Sequence, residues 1–293
     1  MTDAPAAPPF IRIGPGRPVS PVVLSVPHAG RAYSERLLQA SRLPRATLET
    51  LEDRLVDRLV WRATAAGATA FVAQAPRAEI DLNRDEREID PELIAPPLPA
   101  IGIVQSARSR GGLGLIPSRI TGAGPVWKAR IGRAELARRI ADIHRPYHAA
   151  LEAALAAACA RFGAAILLDC HSMPPRPRAK AGGEGPAATL VFGDRHGTSI
   201  APDLRDSALS AARALGYSAA CNAPYAGGYI AGRHGRPLRG VHALQLEIDR
   251  SAYLDAALRE PGPGFDNTCR LVAAIVAALE ARLLESAQPI AAE

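Results

Sequence analysis

Short, uninterrupted apolar runs recur along the chain, and polar residues follow them directly. The clearest run is 163–168, which leads into Asp169 and His171, and a second run at 22–26 leads through a proline into His28. Apolar runs without polar alternation are typical of strands buried on both faces of an α/β sheet. The polar residues are therefore predicted to lie at the carboxyl edge of the sheet, where such proteins bind ligands.

Strand patterns of this kind alternate with helical patterns through most of the sequence. Further strands are predicted at 70–74, 189–192, 217–222 and 243–248. Helical spacing of apolar residues predicts helices at 43–66, at 125–162 with a break at Pro146, at 199–215 and at 265–284. This alternation predicts an α/β fold, a single domain with a mixed, mostly parallel central sheet flanked by helices.

Three segments rich in Pro and Gly predict irregular structure. Residues 1–18 are expected to form a flexible N-terminal tail, with the folded domain spanning 19–288. Residues 85–125 predict a long functional loop or lid, and 174–186 a mobile loop near the site. The glycine-rich stretch 226–235 lacks the ending of a phosphate-binding loop, so its glycines are expected to let the backbone approach a ligand.

Charge and cysteine usage limit the possible partners and location. The net charge is +6 over 293 residues, but arginines are scattered, which disfavours nucleic-acid binding and favours a basic cleft for a small anionic substrate. Four cysteines without a CxxC pair indicate reduced thiols and a cytoplasmic protein. The N-terminus has no signal-peptide pattern, and no apolar stretch is long enough to span a membrane.

The remaining histidines and a cysteine give weaker signals. His144 and His148 are four residues apart and share a helix face, for which structural or supporting roles are favoured. His196 is predicted to be a loop or capping residue. Cys170 and Ser172 are disfavoured as nucleophiles acting with His171, because neighbouring residues on a strand do not face each other and no GxSxG turn is present.

Two strand-end histidines, nearby carboxylates and an arginine are a reasonable composition for a zinc hydrolase site. The carboxylates are Glu247 and Asp249 in the strand 244–249, and the arginine is Arg84 in the segment 81–84. Three protein ligands would leave one zinc position open for water, and the arginine would bind an anionic substrate.

Six short motifs, in order and spread over about residues 20–285, resemble the N-formylglutamate amidohydrolase family. They are Ser25–Gly30, Leu51–Asp53 with Val56-Asp57, Arg77-Ala78 with Asp81–Arg84, Pro146–His148, Asp169–Met173 and Leu246–Arg250. The resemblance implies a fold like that of zinc carboxypeptidases and aspartoacylases (also called phosphorylase/hydrolase-like), with one Zn²⁺ per chain at the carboxyl edge of the sheet.

The resemblance also implies the metal ligands. His28 and His171 match the family's expected zinc histidines. The related carboxypeptidases carry a carboxylate three residues after the first histidine, but Arg31 stands there in this chain. A third ligand must therefore come from elsewhere; Asp53 is the choice, and Glu52 and Glu35 are the alternatives.

Catalytic and substrate-binding roles follow from the same resemblance. Glu247 would be the general base and would then protonate the leaving amine, and Arg77 would help to stabilise the oxyanion. Asn83 and Arg84 would bind the substrate α-carboxylate. Candidates for binding a second carboxylate are Arg233 and Arg108.

The expected reaction is cleavage of N-formyl-L-glutamate to L-glutamate and formate, as in histidine degradation. A different N-acyl amino acid or small amide remains open as substrate, as does a non-catalytic metal-containing binding protein. No nucleic-acid or membrane partner is expected, and the protein should be a monomer or a small homo-oligomer.

Overall fold

A computed structural model describes residues 8–99, 101–176 and 188–287. Most of the loop predicted at 174–186 lies outside these residues. The strands are β1 (Phe10–Ile13), β2 (Val22–Val26), β3 (Thr69–Ala73), β4 (Ile94–Ala95), β5 (Arg119–Ile120), β6 (Gly124–Pro125), β7 (Ile131–Gly132), β8 (Ala165–Met173), β9 (Leu190–Gly193), β10 (Ala219–Cys221) and β11 (Val241–Asp249). The helices are α1 (Glu35–Ala40), α2 (Arg45–Leu48), α3 (Val56–Leu59), α4 (Trp61–Ala65), α5 (Ala107–Arg110), α6 (Arg133–Arg139), α7 (Arg145–Phe162), α8 (Pro202–Ala214), α9 (Tyr229–His234) and α10 (Phe265–Ala287).

The main sheet has seven strands in the order β1-β3-β2-β8-β11-β9-β10. Strands β2, β8 and β11 are parallel neighbours, whereas β9 runs antiparallel to β11 and parallel to β10. Every residue of β2 and β8 is buried, including the polar Asp169 and His171 near the end of β8. The predicted α/β class with a mixed, mostly parallel sheet is confirmed.

Backbone contacts divide the described chain into two compact units. The sheet unit comprises 12–26, 53–71 and the described residues from 151 onwards, and it contains β2 and β8–β11. Helix α10 packs against α8 and α4 in this unit and contacts β2 and β8. Its buried residues, Leu271, Ile275 and Leu279, recur every four positions and so form one apolar stripe.

The loop-rich unit comprises 8–11, 27–52 and the described residues of 72–150. It contains α1, α2, α5 and α6 and short two-residue strands in place of long regular elements. Trp127 anchors one part of its interior: the side chain is 6% exposed, and its Nε1 donates a hydrogen bond of 2.7 Å to the carbonyl of Pro117. Most of the predicted long loop at 85–125 is irregular, as expected.

The predicted helix at 43–66 is broken into short pieces. Glu52 is extended and Leu55 adopts a left-handed conformation with φ 62°. The sequence pattern keeps helical spacing across this point, so it gives no sign of the break. The reason lies in Asp53, which is buried and bonded to His171 of β8, a position that a continuous surface helix would not give it.

The predicted helix at 125–162 begins later, at Arg133, and continues through a π turn at Ile140–His144. Pro146 does not break it. Proline has no N–H to donate, and Pro146 lies two residues after the π turn, where the regular hydrogen-bond spacing is already interrupted. The wider turn before it absorbs the irregularity that proline would cause in a regular α-helix.

Two segments predicted to be irregular contain regular structure. The N-terminal tail includes β1, an edge strand whose exposed Arg12 faces water and whose Phe10 packs edge-on against Tyr147 at 5.6 Å between ring centroids. The glycine-rich segment contains α9. Its glycines allow two segments of the chain itself to come close together. A Cβ on Gly193, at the end of β9, would lie 2.4 Å from the amide nitrogen of Gly227 in the glycine-rich segment.

The four cysteines are free thiols. Among the helices described, none has both the length and the hydropathy that crossing a lipid bilayer would need.

Candidate metal centre

The register of three parallel strands gathers polar side chains on one face of the sheet. Ser25 pairs with Asp169, Gln245 with Asp169, and Glu247 with His171. Since side chains alternate along a strand, Asp169 and His171 point to the same side, together with their partners on β11. All five residues are buried, none exposing more than 7%.

His171 lies between two carboxylates. Its Nδ1 is 2.9 Å from Oδ2 of Asp53 and its Nε2 is 2.9 Å from Oδ2 of Asp169. Burial alone would lower the pKa of His171, but Asp169 and Asp53 raise it well above the usual range, with Glu247 adding to the effect. Ser25 donates a 2.8 Å bond to Asp169 and so fixes the second carboxylate.

Asp53 owes its position to the broken helix and to contacts at the end of β8. Its Oδ1 accepts a bond of 3.2 Å from Ser172 and lies 3.3 Å from Nη2 of Arg250. The hydroxyl of Tyr253 donates to the carbonyl of Arg54 at 2.7 Å and holds the adjacent backbone. The left-handed residue that follows is a conformation that non-glycine residues adopt at a cost, as is common near functional sites.

Glu247 is held by a neighbour on its own strand. Nε2 of Gln245 donates a 2.8 Å bond to Oε1 of Glu247, and Oε1 of Gln245 accepts a 2.7 Å bond from the amide of Gly228. These two bonds fix the orientation of the Gln245 amide. Gln245 therefore connects Glu247 to the start of α9.

His28 is hydrogen-bonded to a carboxylate within the loop-rich unit. Its Nε2 lies 2.7 Å from Oδ1 of Asp81, whose other oxygen accepts a 2.9 Å bond from Nε of Arg77. Burial alone would raise the pKa of Asp81, but the surrounding positive charges, Arg77 first, hold it well below the usual range. Gly30 follows closely; a Cβ there would lie 2.0 Å from the carbonyl oxygen of Ala75, so only glycine fits.

Electrostatic interactions connect Arg84 with Asp81, Arg77 and Arg108. Arg84 is 5% exposed; its Nη1 donates to the carbonyl of Asn83 at 2.6 Å and its Nε to Leu113 at 2.9 Å. Burial lowers the pKa of Arg84, and the charges of Arg77 and Arg108 lower it further against the opposing effect of Asp81. Three guanidinium groups are thus close enough to interact, although Arg108 itself is exposed on α5.

The other predicted site residues have different surroundings. Arg233 is exposed on α9, where its Nη1 donates to the hydroxyl of Tyr229 at 3.0 Å. Glu52 is buried and accepts a 2.8 Å bond from Tyr33. Glu35 is exposed in the first turn of α1.

The three preferred metal ligands form one cluster of potential donor atoms. One nitrogen or oxygen atom from each of His28, Asp53 and His171 lies within 4.8 Å of the other two. Nitrogen and carboxylate oxygen are donors that zinc and related divalent ions accept. Asp169 and Glu247 add negative charge beside His171, so the buried face suits a cation. The donor set therefore fits a divalent metal ion.

Sequence reasoning missed three supporting residues, Asp81, Asp169 and Gln245. The sequence indicates Asp169 only as part of a polar cluster, although its position two residues before His171 on a strand predicts a shared face. Cys170 points to the opposite face, and burial raises the pKa of its thiol, as expected for a packed residue. His144 and His148 are buried and bonded to backbone carbonyls, which agrees with the supporting role favoured for them.

Comparison with known proteins gives consistent matches. Residues 20–254 match the family model described as N-formylglutamate amidohydrolase. N-formylglutamate deformylase of Pseudomonas aeruginosa is 30% identical over 239 residues, which cover 80% of this chain and 82% of that protein. The Pseudomonas putida protein of the same name is 30% identical over 243 residues, with the same coverage. A crystal structure of N-formylglutamate amidohydrolase from Ralstonia eutropha JMP134 has a TM-score of 0.84 and 34% identity, covering 96% of this chain and 98% of that one.

Proposed function

Since this chain belongs to the N-formylglutamate amidohydrolase family and is a hydrolase of amide C–N bonds, we propose that it cleaves N-formyl-L-glutamate to formate and L-glutamate. The observation that carries the proposal is the pairing of Glu247 with His171 on one buried face of the sheet. A carboxylate beside a histidine that we propose to bind metal is an arrangement suited to metal-assisted hydrolysis of an amide by water.

We propose that His28, Asp53 and His171 hold one metal ion and that the ion is zinc. When bound, zinc would supply Lewis-acid polarisation of the substrate carbonyl and lower the pKa of water at its open position. Asp81 and Asp169 would orient the two histidines, since each lies within 2.9 Å of an Nε2 atom. Carboxylates bonded to ligating histidines fix the ring and raise its basicity.

Glu247 would handle the protons of the reaction. It would accept the proton of the attacking water and deliver it to the amine nitrogen of glutamate as the C–N bond breaks. The bond from Gln245 stabilises the ionised carboxylate, which is the form needed for the first step. Water adds to the formyl carbon, so formate and the free amino group account for all atoms.

The arginines of the loop-rich unit would bind the substrate's negative charges. Asn83 and Arg84 would hold the α-carboxylate, because a guanidinium offers the paired donors that match a carboxylate. Arg77 would stabilise charge on the formyl oxygen. Of the two candidates for the γ-carboxylate, the electrostatic interaction of Arg108 with Arg84 supports Arg108 over Arg233.

The physiological setting follows from the same reaction. Release of glutamate from its N-formyl derivative would be the closing step of histidine degradation, and a cytoplasmic location accords with four free thiols. Subcellular fractionation with an antibody to the chain would test the location.

One experiment tests the substrate and the metal together. The purified protein is assayed for zinc content and for formate release from N-formyl-L-glutamate, before and after chelation. We expect about one zinc per chain, with activity lost on chelation and restored by zinc. Bound zinc without formate release would overturn the substrate assignment and point to another N-acyl amino acid or to a binding protein; absence of metal would overturn the metal centre.

A further inference from the structure

Two buried histidines that have no part in the proposed chemistry lie on one face of α7 and the turn before it. His144 and His148 are each 1% exposed, four residues apart, with ring centroids 4.4 Å from each other. Tyr147, fully buried, contacts the ring of His148 edge-on at 5.9 Å. Their rings are therefore fixed by packing on several sides.

Both rings are directed at one short stretch of backbone. Nε2 of His144 lies 2.8 Å from the carbonyl oxygen of Arg84, and Nε2 of His148 lies 3.0 Å from the carbonyl oxygen of Leu82. A carbonyl oxygen only accepts hydrogen bonds, so both Nε2 atoms must carry a proton and donate. The two bonds hold the peptide group that precedes Asn83 and the one that follows Arg84.

Two further hydrogen bonds hold the same stretch of backbone at Asn83. The amide of Asn83 donates a 2.8 Å bond to Oδ1 of Asp81, the carboxylate that is bonded to His28. Arg84 in turn donates from its side chain to the carbonyl of Asn83. The backbone that presents Asn83 and Arg84 is thus held at four points, and histidine side chains make two of these bonds.

The two histidines share one direction because they are four residues apart in a helix. A π turn over Ile140–His144 ends at the first of them. Such wide turns are rare and occur often at functional sites. A buried pair that served stability alone would not need its donors directed at a substrate-binding segment.

We infer that His144 and His148 are positioning residues for substrate recognition. Through the carbonyls of Arg84 and Leu82 they set the places of the Asn83 and Arg84 side chains, and so the grip on the substrate carboxylate. This inference rests on the proposed function, in which those two side chains bind that group. Displacement of a binding group by about 1 Å is enough to cost about a hundredfold in efficiency.

The test removes the donors and then restores them. In His144→Leu and His148→Leu the Nε2 donor is lost, whereas His144→Gln and His148→Gln keep an N–H donor at the same distance along the side chain. His242→Leu is the matched control, because His242 is also buried but accepts its bond from Ala201, away from this backbone. Zinc content, KM and kcat for N-formyl-L-glutamate, and affinity for L-glutamate by calorimetry are measured for each.

We expect the leucine variants to raise KM and weaken L-glutamate binding by about 10-fold to 100-fold, with kcat per bound zinc within about threefold of the starting protein. The glutamine variants should recover most of the loss, and His242→Leu should leave KM unchanged. If the leucine variants do not fold, asparagine, whose amide is too short to reach the carbonyls, replaces leucine.

Unchanged KM and unchanged L-glutamate affinity in folded leucine or asparagine variants would overturn the inference, as would glutamine variants no better than leucine. Loss of kcat with KM unaltered would also overturn it, since the histidines would then act on the chemistry. If the unaltered protein binds L-glutamate but releases no formate, the proposed function fails while the affinities still decide the inference. If the unaltered protein neither binds L-glutamate nor releases formate, both the proposed function and the inference are overturned.

Discussion

Glu247 lies directly opposite His171 on the neighbouring parallel strand. Because paired residues of adjacent strands point to the same face, the carboxylate and the imidazole must share one environment whatever the loops around them do. The sheet therefore fixes the spacing between the proposed base and the proposed metal ligand. The other two proposed ligands, His28 and Asp53, lie in irregular segments outside the strands.

Glu247→Gln should remove the proton acceptor while keeping the size and polarity of the side chain. We expect kcat for N-formyl-L-glutamate to fall by about 10²-fold to 10⁴-fold, the usual contribution of a general base, with zinc content unchanged. Formate release and metal analysis check this. Glu152→Gln, an exposed change, is the control; activity retained in Glu247→Gln would exclude the role.

Asp81→Asn should weaken metal binding without touching a ligand. The substitution removes the charge that is bonded to Nε2 of His28 and to Arg77. Loss of a carboxylate behind a ligating histidine costs about 10-fold to 100-fold in metal affinity. Competition with a chromophoric chelator measures it, with the more exposed Asp85→Asn as control. Equal zinc affinities would show that Asp81 only stabilises the fold.

Arg84→Lys tests the forked contact with the substrate. Lysine keeps the charge but offers a single ammonium group, so we expect KM for N-formyl-L-glutamate to rise by about 10-fold or more. The same change at the exposed Arg87, which pairs with Asp85, should have no effect on KM. A KM that does not respond to Arg84→Lys would move carboxylate binding elsewhere.

The buried His234 predicts a specific pH dependence of stability. Burial and the charge of Arg233 lower the pKa of His234 to about 4, against about 6.5 in the unfolded chain. Between these values only the unfolded state takes up the proton, so the free energy of unfolding should decrease as the pH falls, by about 3 kcal/mol in all.

Urea unfolding from pH 7 to pH 4 measures this contribution. His234→Gln should flatten the dependence in that window, whereas His196→Gln, at an exposed turn, should leave it as it is. If the free energy of unfolding depends on pH in the same way in the unaltered protein and in both variants, His234 has the same pKa in the folded and unfolded states.

How far the sequence predicts the site depends on which element carries each residue. His171 and Glu247 lie in strands whose apolar pattern is strong, and His28 follows such a strand, so the place of each relative to its strand was predictable. Asp53 was identified through the family resemblance only. Its surroundings were not predictable, because the apolar spacing around it is helical and the break comes from tertiary bonds to His171 and Arg250.

The supporting carboxylate Asp81 could not be assigned from pattern. Its partner His28 is 53 positions away in sequence, and nothing in the spacing of polar residues connects them. The same holds for Arg84 and His144, which are 60 positions apart. Such pairs are determined by how irregular segments pack, and periodicity contains no information about that.

The π turn also makes the chain length between α6 and α7 a fixed quantity. Before the turn, Arg138 and Arg139 donate to Glu79; after it, His148 donates to Leu82. Adding one residue to the regular helix on either side of this turn would rotate one side by about 100° relative to the other. Both sets of bonds could not then form together, so point substitutions in the turn should be tolerated far better than a single-residue insertion beside it.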